Sequence, residues 1–549
     1  MELTFDSKNS ISYLLPALGA VVMTVGVFVA WPFTVDDAFI SFRYAKNLAA
    51  GHGLMWNPGL DPVEGYTNFS WVVLCALFEA VLGTSEVPAK VSGVVSLVGV
   101  LALVGRSVYL QTESSSLSAC AIGGLLLFPP TYYHAVSGLE TMFFALLLVA
   151  VFEVGRRIRE GASNRLLLGL VPVLGVLLGL TRPEGLVPGA VVFGFAIGWA
   201  SPESRRRLLL YTAVASVPAV LYMAWRTSHF GHLLPNTFYA KTGDDVASIV
   251  VSSTEWFIEK WPPFVALLSV FTVNALYVGD GRKRTYVYEV CFLFSVLVTY
   301  LLLTPGMDYL ARFSFHIIPV TSVILVSSFG PLMQASRKAY LYPVVLSHVI
   351  VFLGLISLEM ITMRSMYGLG LDNAHVRLGK TLKAVDIPDD KRTLATMDAG
   401  AVPYYSEWTS YDLLELNSEF LAREGTPPQL MEKEKPTLLI LNSAATGAPR
   451  GYTKSWRKGY DKVCSFYYMR NVHHLDVYIR KGADEEYESR IRSKLVGPAR
   501  KSQLAEKWFY GPKAVVDYAL RRFQSLLAQS EGPPTRQDVY LPTAPAGES

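Results

Sequence analysis

Apolar runs of membrane-spanning length recur along this chain, and that recurrence limits what it can fold into. Crossing a bilayer core of about 30 Å takes about 20 mainly apolar residues in a helix. Runs of this kind fall near 12–33, 88–110, 118–132, 140–155, 165–180, 186–200, 207–225, 262–279, 286–303, 313–330 and 340–358. With 51% hydrophobic and only 17% charged residues, the pattern predicts a polytopic α-helical membrane protein with about 11 spans. The N-terminal MELTFDSKNS lacks the basic region of a cleaved signal peptide, so the first run is expected to be a retained span. The run 66–84 is long enough to cross but opens with Asn68 and carries Glu79.

Topology decides what that run does. If 66–84 stays on one side and the N-terminus is cytoplasmic, the short cytoplasmic loops carry Arg156, Arg157, Arg159 and Arg165, then Arg205 to Arg207, then Arg282, Lys283 and Arg284, then Arg337 and Lys338. That is the positive-inside pattern, and a full crossing by 66–84 would invert it. The same assignment puts the loop after the first span, HAVSGLE (134–140), TRPEG (181–185), WRTSHFGHLLPNTFYAK (225–241) and GMDYLARF (306–313) on the opposite, extracytoplasmic side. These segments hold polar, aromatic and Gly/Pro-rich chemistry, so the functional face is expected there. A multi-pass protein of the cytoplasmic membrane follows, with the lipid bilayer as its first partner.

From about residue 360 the composition turns mixed and polar. Short β-like runs at 392–406, 437–443 and 473–480 alternate with helix-compatible stretches, which predicts an extracytoplasmic C-terminal α/β domain over 360–529 after a membrane domain over 1–359. Residues 505–529 fit an amphipathic helix, and 530–549 read as a disordered tail. The four cysteines, Cys75, Cys120, Cys291 and Cys464, have no metal-like spacing. A formal charge of +4 on 549 residues, with no recognisable binding motif, speaks against a nucleic-acid partner.

Chemistry points first to Asp36 and Asp37. They stand directly behind the first span, and ionisable groups at a membrane boundary are costly to keep there unless function holds them. Their block, DDAFISFRYAKNLAAGHGLMWNPG followed by VEGYTNFSW, precedes SGLET, TRPEG, LLPNTFYAK, GMDYLARF and DAGAVPYYS. In that order these motifs resemble bacterial polytopic glycosyltransferases of the GT-C fold, and most of all the mycobacterial cell-wall arabinofuranosyltransferases. The resemblance runs over roughly residues 30–420. It implies a GT-C-like membrane domain that takes a sugar, with arabinofuranose one candidate, from a polyprenyl-phosphate donor to an envelope glycan or glycoconjugate acceptor. It also implies an acidic base in the first outer loop, 34–65, and a donor contact from Asn236.

Such chemistry needs few parts. An acceptor hydroxyl loses its proton as it attacks the anomeric carbon, and Asp36, with Asp37 beside it, is the expected acceptor of that proton. The departing lipid phosphate needs positioned cations or donors: Arg182, Arg312 and Arg43, with His134 and Lys241 behind them. Each arginine also fits an interfacial snorkelling residue. Glu64, Glu140, Glu184 and Asp308 suit acceptor hydroxyls, and leave room for a divalent cation held together with an Asp, although no spacing marks a metal site. Tyr66, Trp71, Trp225, Tyr239 and Tyr309 suit sugar stacking or an aromatic belt, and His229 and His232 fit a hydrogen-bonding loop better than a metal pair. The competing class is a transporter or flippase for a lipid-linked sugar, which should show paired repeats and midplane polar residues; neither is visible here.

Overall fold

The structure, a computed structural model, describes residues 7–242, 254, 283–301, 310, 312–335, 367–444, 450–469 and 473–506. The chain divides into two compact units. The first comprises Met1–Val27, Ser41–Ile361 and Glu415–Arg423, and the second Phe28–Ile40, Thr362–Leu414 and Glu424–Ser549.

The first unit is helical. The opening helix, Ser7–Ala30, stops just short of Pro32, whose ring and missing N–H oppose its continuation. Glu86–Thr112 and Pro202–Phe230 are each long and apolar enough to cross a membrane, and Pro130–Val136 with Thr141–Arg159 would make a third span, bent by 109°. These helices make it a multi-pass membrane protein. At four more of the places where spans are expected the chain is helical, over Arg165–Thr181, Leu186–Trp199, Lys283–Leu301 and Ile318–Ala335, with apolar stretches shorter than those spans. Those at 262–279 and 340–358 lie outside the described residues. One expected span is broken: 118–132 separates into Ser115–Leu126 and Pro130–Val136, because consecutive prolines at 129 and 130 start a new helix instead of extending the old one. The stretch within 66–84 is helical over Phe69–Leu82, and its 14 residues reach only about 21 Å, short of a bilayer core.

Local chemistry sets these helix ends. Asn164 and Ser201 cap the helices that follow them by accepting from Leu167 N–H and Ser204 N–H, and Gly83 closes Phe69–Leu82 at φ 71°. Gly93, in Glu86–Thr112, leaves the backbone so close to Pro130–Val136 that a Cβ there would sit 1.9 Å from Ala135 O. That approach seats the turn carrying His134.

A five-stranded mixed sheet forms the core of the second unit: β1 (Thr393–Thr396), β2 (Thr409–Asp412), β3 (Leu438–Asn442), β4 (Tyr460–Met469) and β5 (His473–Arg480), in the order β2-β1-β3-β5-β4. β1 runs parallel to β2 and β3, while β5 is antiparallel to both β3 and β4. The central strand β3, LLILN, is buried along its length, as a strand covered on both faces should be. The expected run 392–406 is a strand for only its first part; Asp398–Gly400 turn the chain into a short helix, Ala401–Ser406. Helix Glu485–Glu506 packs on β4. Residues 507–549, which hold most of the expected amphipathic helix and all of the expected tail, lie outside the described residues.

Candidate active site

In the second unit, everything gathers around Asp36. It is the first residue of helix Asp36–Ala49, and its carboxylate accepts two backbone N–H groups, Gly400 on Oδ2 at 3.0 Å and Ala401 on Oδ1 at 2.8 Å. Its own N–H donates to Tyr367 Oη at 3.2 Å. This is why residue 400 is glycine: a Cβ there would lie 2.0 Å from Asp36 O and 2.5 Å from its Cγ. Phe33 against Tyr367, and Phe39 against Tyr404 and Tyr405, all with centroids 5.5 Å apart, wall the site with rings.

Burial raises the Asp36 carboxyl to about 6, with His375 drawing it partly back and the charges of Asp398 and Asp37 pushing it up. A carboxyl poised there is ionised at neutral pH and still basic enough to accept a proton. Asp37 lies in the same first turn, half-buried.

Next to Asp36 stands a group that spacing alone did not show. His375 Nε2 is 2.7 Å from Asp398 Oδ2, and His473 Nε2 is 3.3 Å from the same oxygen. One ligand atom from each of the three residues lies within 4.8 Å of the other two, a spacing that could hold a divalent cation. Burial opposes ionisation of Asp398, but the two imidazoles overcome it and hold the carboxyl well below its usual range. His375 is shifted the other way: burial would lower it, and its bond to Asp398 and the charge of Asp36 raise it.

The first unit carries the other expected groups. Glu140 accepts from Arg182 at 2.7 Å, from Arg312 at 3.4 Å and, on its other oxygen, from Asn68 at 2.7 Å. Arg182 also donates to Glu184 at 2.6 Å and is only 8% exposed. The structure therefore brings Arg182, Arg312, Glu140 and Glu184 together, and their formal charges cancel. His134 is fully buried in the same unit, hydrogen-bonded through Nε2 to Leu310 O at 3.0 Å and packed on Phe315.

Others serve different neighbours. Arg43 donates to Trp56 O at 2.8 Å and to Asn57 at 2.9 Å and stacks over the Trp56 ring, bracing the loop that follows its helix. Glu64 accepts from Arg226 Nε and Nη2, while Nη1 donates to Leu233 O. Asn236 donates to the Glu415 and Leu416 carbonyls at 2.8 and 3.0 Å, Arg423 lies over the Tyr239 ring, and His232 meets Glu419, so the LLPNTFYAK motif grips the segment Glu415–Arg423. Tyr66 packs against Tyr44. Trp71, expected at an interface, is fully buried and donates to Gly138 O. Asp308, Tyr309 and the side chain of Lys241 lie outside the described residues.

Residues 365–488 match a family described only as a domain of unknown function, DUF8728. The chain is 28% identical over 267 residues to a terminal β-(1→2)-arabinofuranosyltransferase of Mycobacterium tuberculosis, covering 44% of this chain and 42% of that protein. It is 26% identical over 276 residues to the protein of the same name in Corynebacterium glutamicum, covering 44% and 38%. The chain thus spans about two fifths of the length of the curated relatives it matches. Among solved structures it superimposes on ArnT from Cupriavidus metallidurans bound to undecaprenyl phosphate, with a TM-score of 0.56 at 11% identity over 86% of this chain and 98% of that one. The ligand-free form of ArnT gives 0.54. The fold is that of ArnT. The helical part and the C-terminal domain that the motif order implied are both present.

Sequence reasoning missed His375, Asp398, His473 and Asn68. DAG at 398–400 carried a signal, since an Asp followed so closely by a glycine marks a turn where backbones approach. The paired histidines opening the run 473–480 carried a weaker one.

Proposed function

We propose that this chain is a glycosyltransferase that moves a sugar, by kinship arabinofuranose, from a polyprenyl-phosphate donor to an envelope glycan or glycoconjugate. The observation that carries the reading is Asp36: a carboxylate held by two backbone N–H groups and poised by burial to accept a proton near neutral pH. The likeness to terminal arabinofuranosyltransferases and to a fold crystallised with undecaprenyl phosphate supports the donor class.

In this reading Asp36 takes the proton of the acceptor hydroxyl as it attacks the anomeric carbon, while Asp37 orients the acceptor. The bond from that carbon to the phosphate oxygen breaks, and the lipid phosphate leaves with the electron pair. Arg182 and Arg312 neutralise it. Glu140 holds the two guanidiniums together, and its longer contact, 3.4 Å to Arg312, makes Arg312 the arginine more readily turned toward a phosphate. The membrane is the cytoplasmic one, the arginine-rich loops face inward, and the motif loops and C-terminal domain face outward.

Incubating the purified protein in lipid with labelled polyprenyl-phospho-arabinofuranose and an arabinan acceptor tests this reading, with polyprenyl-phospho-hexoses alongside. Label should pass to the glycan. Release of sugar inside vesicles without transfer would establish the transporter instead, and no transfer from any donor would overturn the enzyme.

A further inference from the structure

His375, Asp398 and His473 come from three separate elements of the second unit: a π-helical turn, Asp372–Val376; the turn after β1; and the first residue of β5. π-Turns are rare and cluster at functional sites. His375 lies in this turn and is 2% exposed. A hydrogen-bonded brace accounts for part of this cluster, since His375 Nε2 lies 2.7 Å from Asp398 Oδ2. It serves His473 poorly, because its Nε2 is buried and stands 3.3 Å from the same oxygen out of line for a good hydrogen bond. Leaving such a nitrogen without a good partner costs about 1–3 kcal/mol. A shared ligand removes that cost.

Two of the three donor distances, and the donor types, point to the ligand. Zinc bonds of about 2.0–2.1 Å in a tetrahedron set neighbouring donors roughly 3.3 Å apart. His473 and Asp398 already stand 3.3 Å apart, and the 2.7 Å pair has only to open by about half an ångström. The second oxygen of Asp398 accepts from Asn442 Nδ2 at 3.0 Å, the outer support that ligating carboxylates usually have. Two imidazoles and one carboxylate suit zinc and its transition-metal neighbours, whereas magnesium prefers an all-oxygen shell.

We propose that His375, Asp398 and His473 form a zinc-type metal site with a fourth position left for water. Asp398 precedes by two and three residues the Gly400 and Ala401 N–H groups that hold Asp36, so the ion would tie that turn to β5 and to the π-turn and act as a positioning element. The proposal does not depend on sugar transfer, and neither does its test.

The full chain is purified on a histidine-free tag, stripped with a chelator and titrated with Zn2+ and with Mg2+. Bound metal is counted by mass spectrometry and thermal unfolding is followed. Cobalt serves as a coloured probe, since a tetrahedral site shows a distinct visible spectrum. Expected are one zinc per chain, a rise in Tm with Zn2+ and none with Mg2+, and the tetrahedral cobalt spectrum. His473→Gln and Asp398→Asn should each weaken zinc at least tenfold and abolish that spectrum, with circular dichroism confirming the fold, while His229→Gln should bind as the wild type does. Failure of the stripped wild type to take up zinc, or equal uptake by His473→Gln and Asp398→Asn, would overturn the site and leave the hydrogen-bonded brace.

Discussion

Replacing Gly400 by alanine attacks the Asp36 site without touching a charged group. The new Cβ would lie 2.0 Å from the Asp36 carbonyl oxygen, and contacts below 3.0 Å essentially never occur, so the two backbones must part by at least ~1 Å. That separation breaks or lengthens the 3.0 Å and 2.8 Å bonds from Gly400 and Ala401 to the carboxylate. Bonds to a charged group contribute about 1.5–3 kcal/mol each, so a loss of about 2–4 kcal/mol in stability is expected if one is lost and the other weakened. Activity should fall further than stability, because a misplacement of about 1 Å at a reacting group costs on the order of 100-fold. The assay pairs thermal unfolding with the initial rate of sugar transfer from the synthetic donor. Gly451→Ala is the control, since a Cβ there meets nothing within 4 Å. A folded Gly400→Ala protein turning over within threefold of wild type would refute the claim that these two N–H groups place the base.

Further tests address the remaining roles. Asp36→Asn should lower transfer roughly 100-fold or more, with Asp37→Asn milder and acting more on the acceptor KM than on kcat; near-normal turnover in both would remove the carboxylates from the mechanism. Because Asp36 must be ionised to accept a proton and burial raises its carboxyl to about 6 in the metal-free protein, kcat of the metal-stripped enzyme should decline as pH falls through about 6 and level off above it, and a flat profile from pH 5 to 8 would contradict that role. Arg182→Lys and Arg312→Lys keep the charge but lose the guanidinium fork, so activity should drop while insertion survives, and wild-type rates in both would reduce these arginines to partners of Glu140. In intact cells a cysteine at position 163 should be shielded from an impermeant label and one at 481 modified; the reverse pattern would invert the topology.

Hydrophobic run length made the helical part of the fold legible, because a helix buried in lipid must be apolar over its whole length. The turn at Pro129 and Pro130 escaped that reading, since apolar residues on both sides hid a break that backbone sterics impose. In the sheet, β3 and β5 were visible as apolar or alternating runs. β2 was not: its sequence, TSYD, is short and polar, and it exists because β1 pairs with it. At the site, Asp36 was conspicuous as a charge behind a span, and the arginines as cations in motif loops. The charge cancellation among Arg182, Arg312, Glu140 and Glu184 depends on tertiary placement, which spacing does not encode. His375, Asp398 and His473 were silent for the same reason, because no short period links a π-turn, a strand end and a distant strand start. Trp71 looked like an interfacial ring and is a core one, its N–H satisfied by Gly138.

The bonds from Gly400 and Ala401 to Asp36 close over 364 and 365 residues of sequence. A ribosome adding about 5–20 residues per second makes Gly400 roughly 20–70 s after Asp36. Throughout that interval the carboxylate has emerged behind the first span without the two amides that will hold it. Any nascent chain released before residue 400 carries Asp36 with neither amide, however many of its helices have already entered the bilayer.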